Sequence, residues 1–209
     1  MPTPRENATG RRPAFRTARR RVLVIGGLAE ASYFTGLYAW AGNPAVMVRH
    51  APDPIAPPHL IAMADEYRAR HPDDVDEAWV LLDGEDLDWP TVRGHADEAG
   101  IRLGVSNPCF ETWLLLHHHD KPVTAGTRDA HTRQLRGYVA DYDPRRVDFR
   151  EYRDGLADAV DRAKPLALRF EADLEGTGAP PPNPYTGVWA LAEHIATLKA
   201  PTRQGPAHP

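Results

Sequence analysis

The run Val22-Leu23-Val24-Ile25 is apolar without a break and stops at Gly26-Gly27, the pattern of a strand buried on both faces that runs into a turn. Beyond it, Tyr33, Phe34, Leu37 and Tyr38 recur at helical spacing within 30–40, and Gly42-Asn43-Pro44 ends that helix. Residues 45–48 predict a second strand, 59–70 a second helix, 78–82 a third strand, 91–99 a helix stopped by Gly100, and 101–105 a fourth strand. After Pro108 the spacing is helical, over 109–117, 127–139, 151–168 and 185–199. Strands alternating with helices predict an α/β fold: a parallel sheet of about four strands flanked by helices, followed by a helical C-terminal half.

Composition narrows this picture. At about 150 residues per domain, 209 residues give one domain, expected over 22–199, with a basic arm at 1–21 and a disordered tail at 200–209. The 21 prolines are about twice the usual share of roughly 5%, and they cluster at 52–58, 180–184 and 201–209, where they punctuate the chain. Cys109 is the single cysteine, which excludes a disulfide framework and a cysteine-based zinc site. No apolar run reaches the roughly 18 residues of a membrane span, and the arginine-rich start lacks the apolar core of a signal peptide, so a cytoplasmic protein without a membrane is expected.

The net charge of −4 conceals an asymmetry. Residues 1–21 hold seven arginines against one glutamate, +6, which leaves −10 for the rest of the chain. Such an arm can grip nucleic acid through phosphates, with Arg11, Arg12, Arg19 and Arg20 as the candidate contacts. The same composition also fits a solvated terminus.

In a doubly wound sheet, ligands bind beyond the carboxyl ends of the strands. The third predicted strand ends there in Asp83-Gly84-Glu85-Asp86. In extended chain, Asp83 and Glu85 aim at one point, and hard oxygen ligands so spaced suit Mg²⁺ (or Mn²⁺), with Asp86 adjacent. An acidic loop in which Asp86 or Asp88 caps the next helix fits the spacing equally well. Glu30, in the first helical turn after Gly26-Gly27, is either a third carboxylate or a partner of the helix dipole. The glycine pair completes neither GxGxxG nor GK[ST].

The segment Ser106-Asn107-Pro108-Cys109-Phe110-Glu111-Thr112-Trp113-Leu114-Leu115-Leu116-His117 is the most unusual in the chain. Asn107 is expected as an N-cap, with Pro108 at the first helical position and Glu111 in the first turn. Phe110, Trp113, Leu114 and His117 form one stripe facing the core, in which His117 reads better as a hydrogen-bonded core residue than as a ligand. Cys109 reads better as a buried structural residue than as a nucleophile.

Taken together, Gly-Gly-x-x-Glu-x-x-Tyr-Phe at 26–34, Asp-x-Glu-Asp at 83–86, the 106–117 segment and Asn-Pro-x-Thr at 183–186 resemble the RloB-like proteins, bacterial proteins encoded near restriction and abortive-infection loci. The resemblance implies a Toprim-like fold, whose relatives hold Mg²⁺ for phosphodiester chemistry with a glutamate after the first strand and an Asp-x-Asp after a later one. It implies a phage-defence effector, a metal-dependent nuclease with Glu30, Asp83 and Glu85 catalytic and Asp83, Glu85 and Asp86 holding the metal. Roles for Ser106, Asn107, Glu111 and His117 stay open. The departures are Ala29 for a threonine, Glu85 for an aspartate, no lysine near Tyr142, where Pro144 and Arg145 stand, and Ile25 where the family's first glutamate falls. Ile25 favours the alternative: a catalytically degenerate Toprim-like nucleic-acid-binding or regulatory subunit working with an ATPase encoded alongside it. A third reading is processing of a nucleotide or other small phosphate.

Overall fold

The computed structural model describes residues 21–42, 45–52, 55–118, 124–174 and 178–197. Arg11, Arg12, Arg19, Arg20 and the tail 200–209 lie outside the described residues. Five strands, β1 (Val22–Gly26), β2 (Val46–His50), β3 (Glu77–Asp83), β4 (Arg102–Asn107) and β5 (Tyr185–Thr186), form one sheet in the order β2-β1-β3-β4-β5. The first four are parallel, and β5 runs antiparallel to β4 with Ser106 opposite Thr186. Among the described residues seven helices flank it: α1 (Leu28–Ala41), α2 (Pro57–Arg70), α3 (Trp89–Ala99), α4 (Glu111–Leu116), α5 (Arg128–Leu135), α6 (Leu156–Leu174) and α7 (Val188–Thr197). This is an α/β architecture with a helical C-terminal half, consistent with a Toprim-like sheet. No helix among the described residues is long and apolar enough to cross a membrane.

The two-residue side-chain period divides the sheet between two cores. Val22, Val24, Trp79 and Leu81 face α1, α4, α6 and α7, while Leu23, Ile25, Ala78, Val80 and Leu82 face α2 and α3. Both faces of β1 and β3 are therefore covered, which is why these strands read as unbroken apolar runs. At the edge, β2 exposes Arg49 and His50, and the Arg49 guanidinium lies 4.3 Å over the Tyr67 ring.

The differences from expectation have local causes. The helices α2 and α3 begin two residues early because Pro57, Pro58 and Pro90 occupy the first turn, where no N–H is needed, and the Asp88 side chain accepts from Thr91 N–H at 3.4 Å. Ahead of α6, the chain passes through two 3₁₀ turns at 149–151 and 153–155. The start predicted at Tyr185 is instead strand β5, pinned by a 2.9 Å Ser106 Oγ to Thr186 Oγ1 hydrogen bond, and α7 begins only at Val188. Arg21, at the root of the arm, accepts from Asp76 and Glu77 N–H through its carbonyl and donates its own N–H to Asp76 at 2.7 Å.

The helical half is organised around Tyr33, which has Phe34, Phe110, Trp113, His117, Phe149 and Tyr152 edge-on within 6.3 Å. A side chain at Gly155 would fall on the backbone carbonyl of His117, inside this cluster, whereas one at Gly94 on α3 meets nothing within 4 Å. Gly155→Ala is accordingly expected to lower unfolding free energy by roughly 1–3 kcal/mol. Gly94→Ala should raise it by up to about 1 kcal/mol, both read from urea denaturation.

Candidate functional site

Strands β1, β3 and β4 end along one edge of the sheet, and a cleft of about 540 Å³ opens there, bordered by the first turn of α1, the chain after β2, and α5. Glu30, Asp83, Glu111, Arg128 and Arg145 reach it. Glu30 arrives because it shares the buried stripe of α1 with Tyr33, Phe34, Leu37 and Ala41, so the helix period that builds the core also aims this carboxyl inward. A side chain at Gly27 would stand 2.8 Å from Glu30 Oε2, so the glycine leaves the carboxyl its place. Burial, followed by the charge of Asp83, raises the Glu30 pKa to about 8, which favours the protonated form at neutral pH.

Asp83 closes β3. Its Oδ1 accepts the Phe110 N–H at 2.8 Å, and its Oδ2 lies 2.9 Å from Arg128 Nη2. Burial raises its pKa, against the opposing pull of Arg128. The same guanidinium reaches Glu85, with Nε 3.6 Å from Oε2. Burial would lower the Arg128 pKa, but the charge and hydrogen bond of Asp83 more than reverse that.

The strand ends at Asp83, so the two-residue alternation does not continue into Glu85; Gly84, Glu85 and Asp86 form a turn. Gly84 is needed there because a Cβ would stand 2.8 Å from that of Asn107. Asp86 takes a left-handed conformation (φ 59°) and points to solvent, outside the cleft lining. Asp83 and Glu85 do share a partner, and that partner is an arginine. Among the described residues, no three His, Cys, Asp or Glu side chains form a group that could hold a metal ion. With Asp83 and Glu85 already flanking the Arg128 guanidinium, the arrangement as it stands does not fit a resident Mg²⁺.

The 106–117 segment does different work from residue to residue. Asn107 is not an N-cap: it is the last residue of β4, α4 starts only at Glu111, and its Nδ2 donates to Pro181 O at 2.7 Å. Pro108 correspondingly precedes the helix, and the strand pairing with β5 is what carries 107 beyond helical geometry. Ser106 is the fully buried hydroxyl that bonds Thr186. Glu111 is buried in the first turn of α4, where Oε1 accepts from Tyr142 Oη at 2.9 Å and Thr132 Oγ1 at 3.4 Å. His117 is a core residue: Nδ1 donates to Tyr152 O at 2.7 Å, Nε2 accepts from Tyr33 Oη at 3.1 Å, and burial pushes its pKa down to about 3. Burial and then Glu111 push the Cys109 thiol up, so no thiolate nucleophile forms there.

Arg128, which lines the cleft, and Tyr142, which bonds Glu111, are residues to which the sequence pattern assigns no role. A lone arginine in the polar stretch 124–130 has no periodicity to mark it, and its partners lie in another part of the chain.

Residues 22–195 match the sequence profile of the RloB-like protein family. No curated protein and no solved structure matches the chain.

The protonation of Glu30 has a measurable consequence. Its pKa is about 8 when folded against 4.5 ordinarily, so its stabilising contribution is complete below 4.5 and lost as pH rises through 8. Glu30→Gln keeps the neutral shape, and its stability relative to the wild type is expected to improve steadily between about pH 5 and about pH 9 in denaturant titrations. An offset constant with pH would show Glu30 to be ionised throughout.

Proposed function

The chain belongs to the RloB-like protein family, and from that premise we propose that it is a phage-defence protein that binds the phosphodiester backbone of nucleic acid without cutting it, alongside a partner ATPase. Ile25 carries this reading. It stands where the family's first glutamate is expected, is 2% exposed and packs in the apolar layer with Leu60 and Ile61, outside the cleft lining. An isoleucine there neither ligates a metal nor moves a proton. The cleft retains what binding needs: Arg145 lies exposed along it with no ion pair among the described residues, and a guanidinium can take two phosphate oxygens at once. The arm adds further arginines, whose contribution is electrostatic and independent of base sequence.

A second reading, a nuclease dependent on Mg²⁺ or Mn²⁺, is favoured by the gathering of Glu30, Asp83 and Glu111 at the strand ends with Glu85 at the rim. One experiment separates the two. Labelled single- and double-stranded DNA and RNA are expected to be retained by the purified protein in EDTA. After addition of Mg²⁺ or Mn²⁺, they should be cut no faster than by the Asp83→Ala, Glu85→Ala double variant. Cutting that this double variant abolishes would sink the binding-only reading.

The arm is tested separately. Replacing Arg11, Arg12, Arg19 and Arg20 with alanine should weaken retention and flatten the dependence of log affinity on log salt by about 0.9 for each duplex phosphate that the arm no longer neutralises. An unchanged slope would mean that the arm leaves the phosphates untouched.

A further inference from the structure

We propose that Arg128 is the resident cation of the cleft, a tethered guanidinium standing between Asp83 and Glu85 in place of a metal ion, and that Asn183 is the positioning residue that keeps it there. Arg128 is the first residue of α5, where the helix dipole disfavours a positive charge, so helix stability does not account for it. Its carboxylate partners do, at 2.9 and 3.6 Å.

The approach to Arg128 is held at several points. The Asn183 side-chain amide pairs with Gly126 in both directions, Oδ1 accepting its N–H at 3.2 Å and Nδ2 donating to its carbonyl at 2.7 Å. Thr127 caps α5 by accepting the Ala130 N–H at 3.3 Å. His131, 2% exposed, donates from Nε2 to Thr124 O at 3.2 Å, which leaves Nδ1 to accept from Thr112 Oγ1 at 3.1 Å.

Asn183 is itself anchored from both sides. The carbonyl of Pro181 takes the Asn107 amide, and Thr186 bonds Ser106. The late Asn-Pro-x-Thr segment and the 106–117 segment, far apart in sequence, therefore meet in a scaffold whose output is the placement of one guanidinium. The backbone that carries Arg128 is thereby fixed, and its guanidinium balances one of the two negative charges of Asp83 and Glu85 without any ion from solution.

This inference concerns the cation alone and is separable from the nucleic-acid reading, which is measured in EDTA. The test is Mn²⁺ titration of the full chain, followed by the loss of the free-ion electron paramagnetic resonance signal, with near-ultraviolet circular dichroism to verify folding. Arg128→Gln opens the space between Asp83 and Glu85 and should bind Mn²⁺ at least about tenfold more tightly than the wild type, two carboxylates plus waters being a sufficient ligand set. Arg128→Lys keeps a cation and should exclude Mn²⁺ as the wild type does. Asn183→Ala leaves every charge in place and should show a smaller gain, which simple destabilisation does not produce. Wild-type protein binding Mn²⁺ as tightly as Arg128→Gln overturns the proposal, and so does an Arg128→Gln variant that gains nothing. Should Arg128→Gln fail to fold, absence of any gain in folded Asn183→Ala decides against it.

Discussion

A carboxylate held at the end of a buried parallel strand costs several kcal/mol of lost hydration unless charge and hydrogen bonds replace the water. Asp83 is that carboxylate, and much of the surrounding architecture answers to it. Its two oxygens are taken by the Phe110 N–H and by Arg128, which fixes the chain just ahead of α4 and the start of α5 against the end of β3. Helices that follow the sheet in sequence are thereby tied to its carboxyl edge. Glu30 meets the same cost by another route: burial, and then the charge of Asp83, raises its pKa to about 8 and favours its neutral form. Three acids at one edge are tolerated because one is paired, one is neutral and one, Glu111, is bonded by Tyr142 and Thr132.

The same requirement explains what was legible in the sequence. β1 and β3 were readable because burial on both faces demands unbroken apolar runs, and Gly42 and Gly100 marked helix ends by adopting left-handed caps. The acids at 30 and 83 could be placed because topology alone directs ligands to the carboxyl edge. β5 could not be read: two residues carry no period, and their strand character comes from pairing with β4. Asn107 misled because a polar residue before proline suits a helix cap and a strand end equally, and only the pairing decides between them. Arg128 was hidden because its ion pairs are with Asp83 and Glu85, at a distance in the chain, and Asn183 reaches only the backbone of the neighbouring Gly126.

Much of the most unusual segment of the chain is packing. In 106–117, Phe110, Trp113 and His117 build the aromatic shell of Tyr33, and His117 uses both ring nitrogens internally. An unusual sequence thus marks the place where a short helix is buried on all sides, and such a helix has no solvent-facing positions on which to vary. Glu111, at the start of that helix, reaches the cleft, and its neighbour Thr112 helps through His131 to hold the loop ahead of α5.

The root of the arm sets a question of reach. Arg21 is fastened where β1 begins, and the cleft lies where β1 ends, so the two are separated by the strand's length of roughly 15 Å. Twenty residues of chain can span at most about 70 Å, so the distance is no obstacle. A polyanion touching both places would lie along the body of the protein instead of crossing it at a point. The two grips would then act as linked sites of a single ligand, with an effective concentration set by the length of that path.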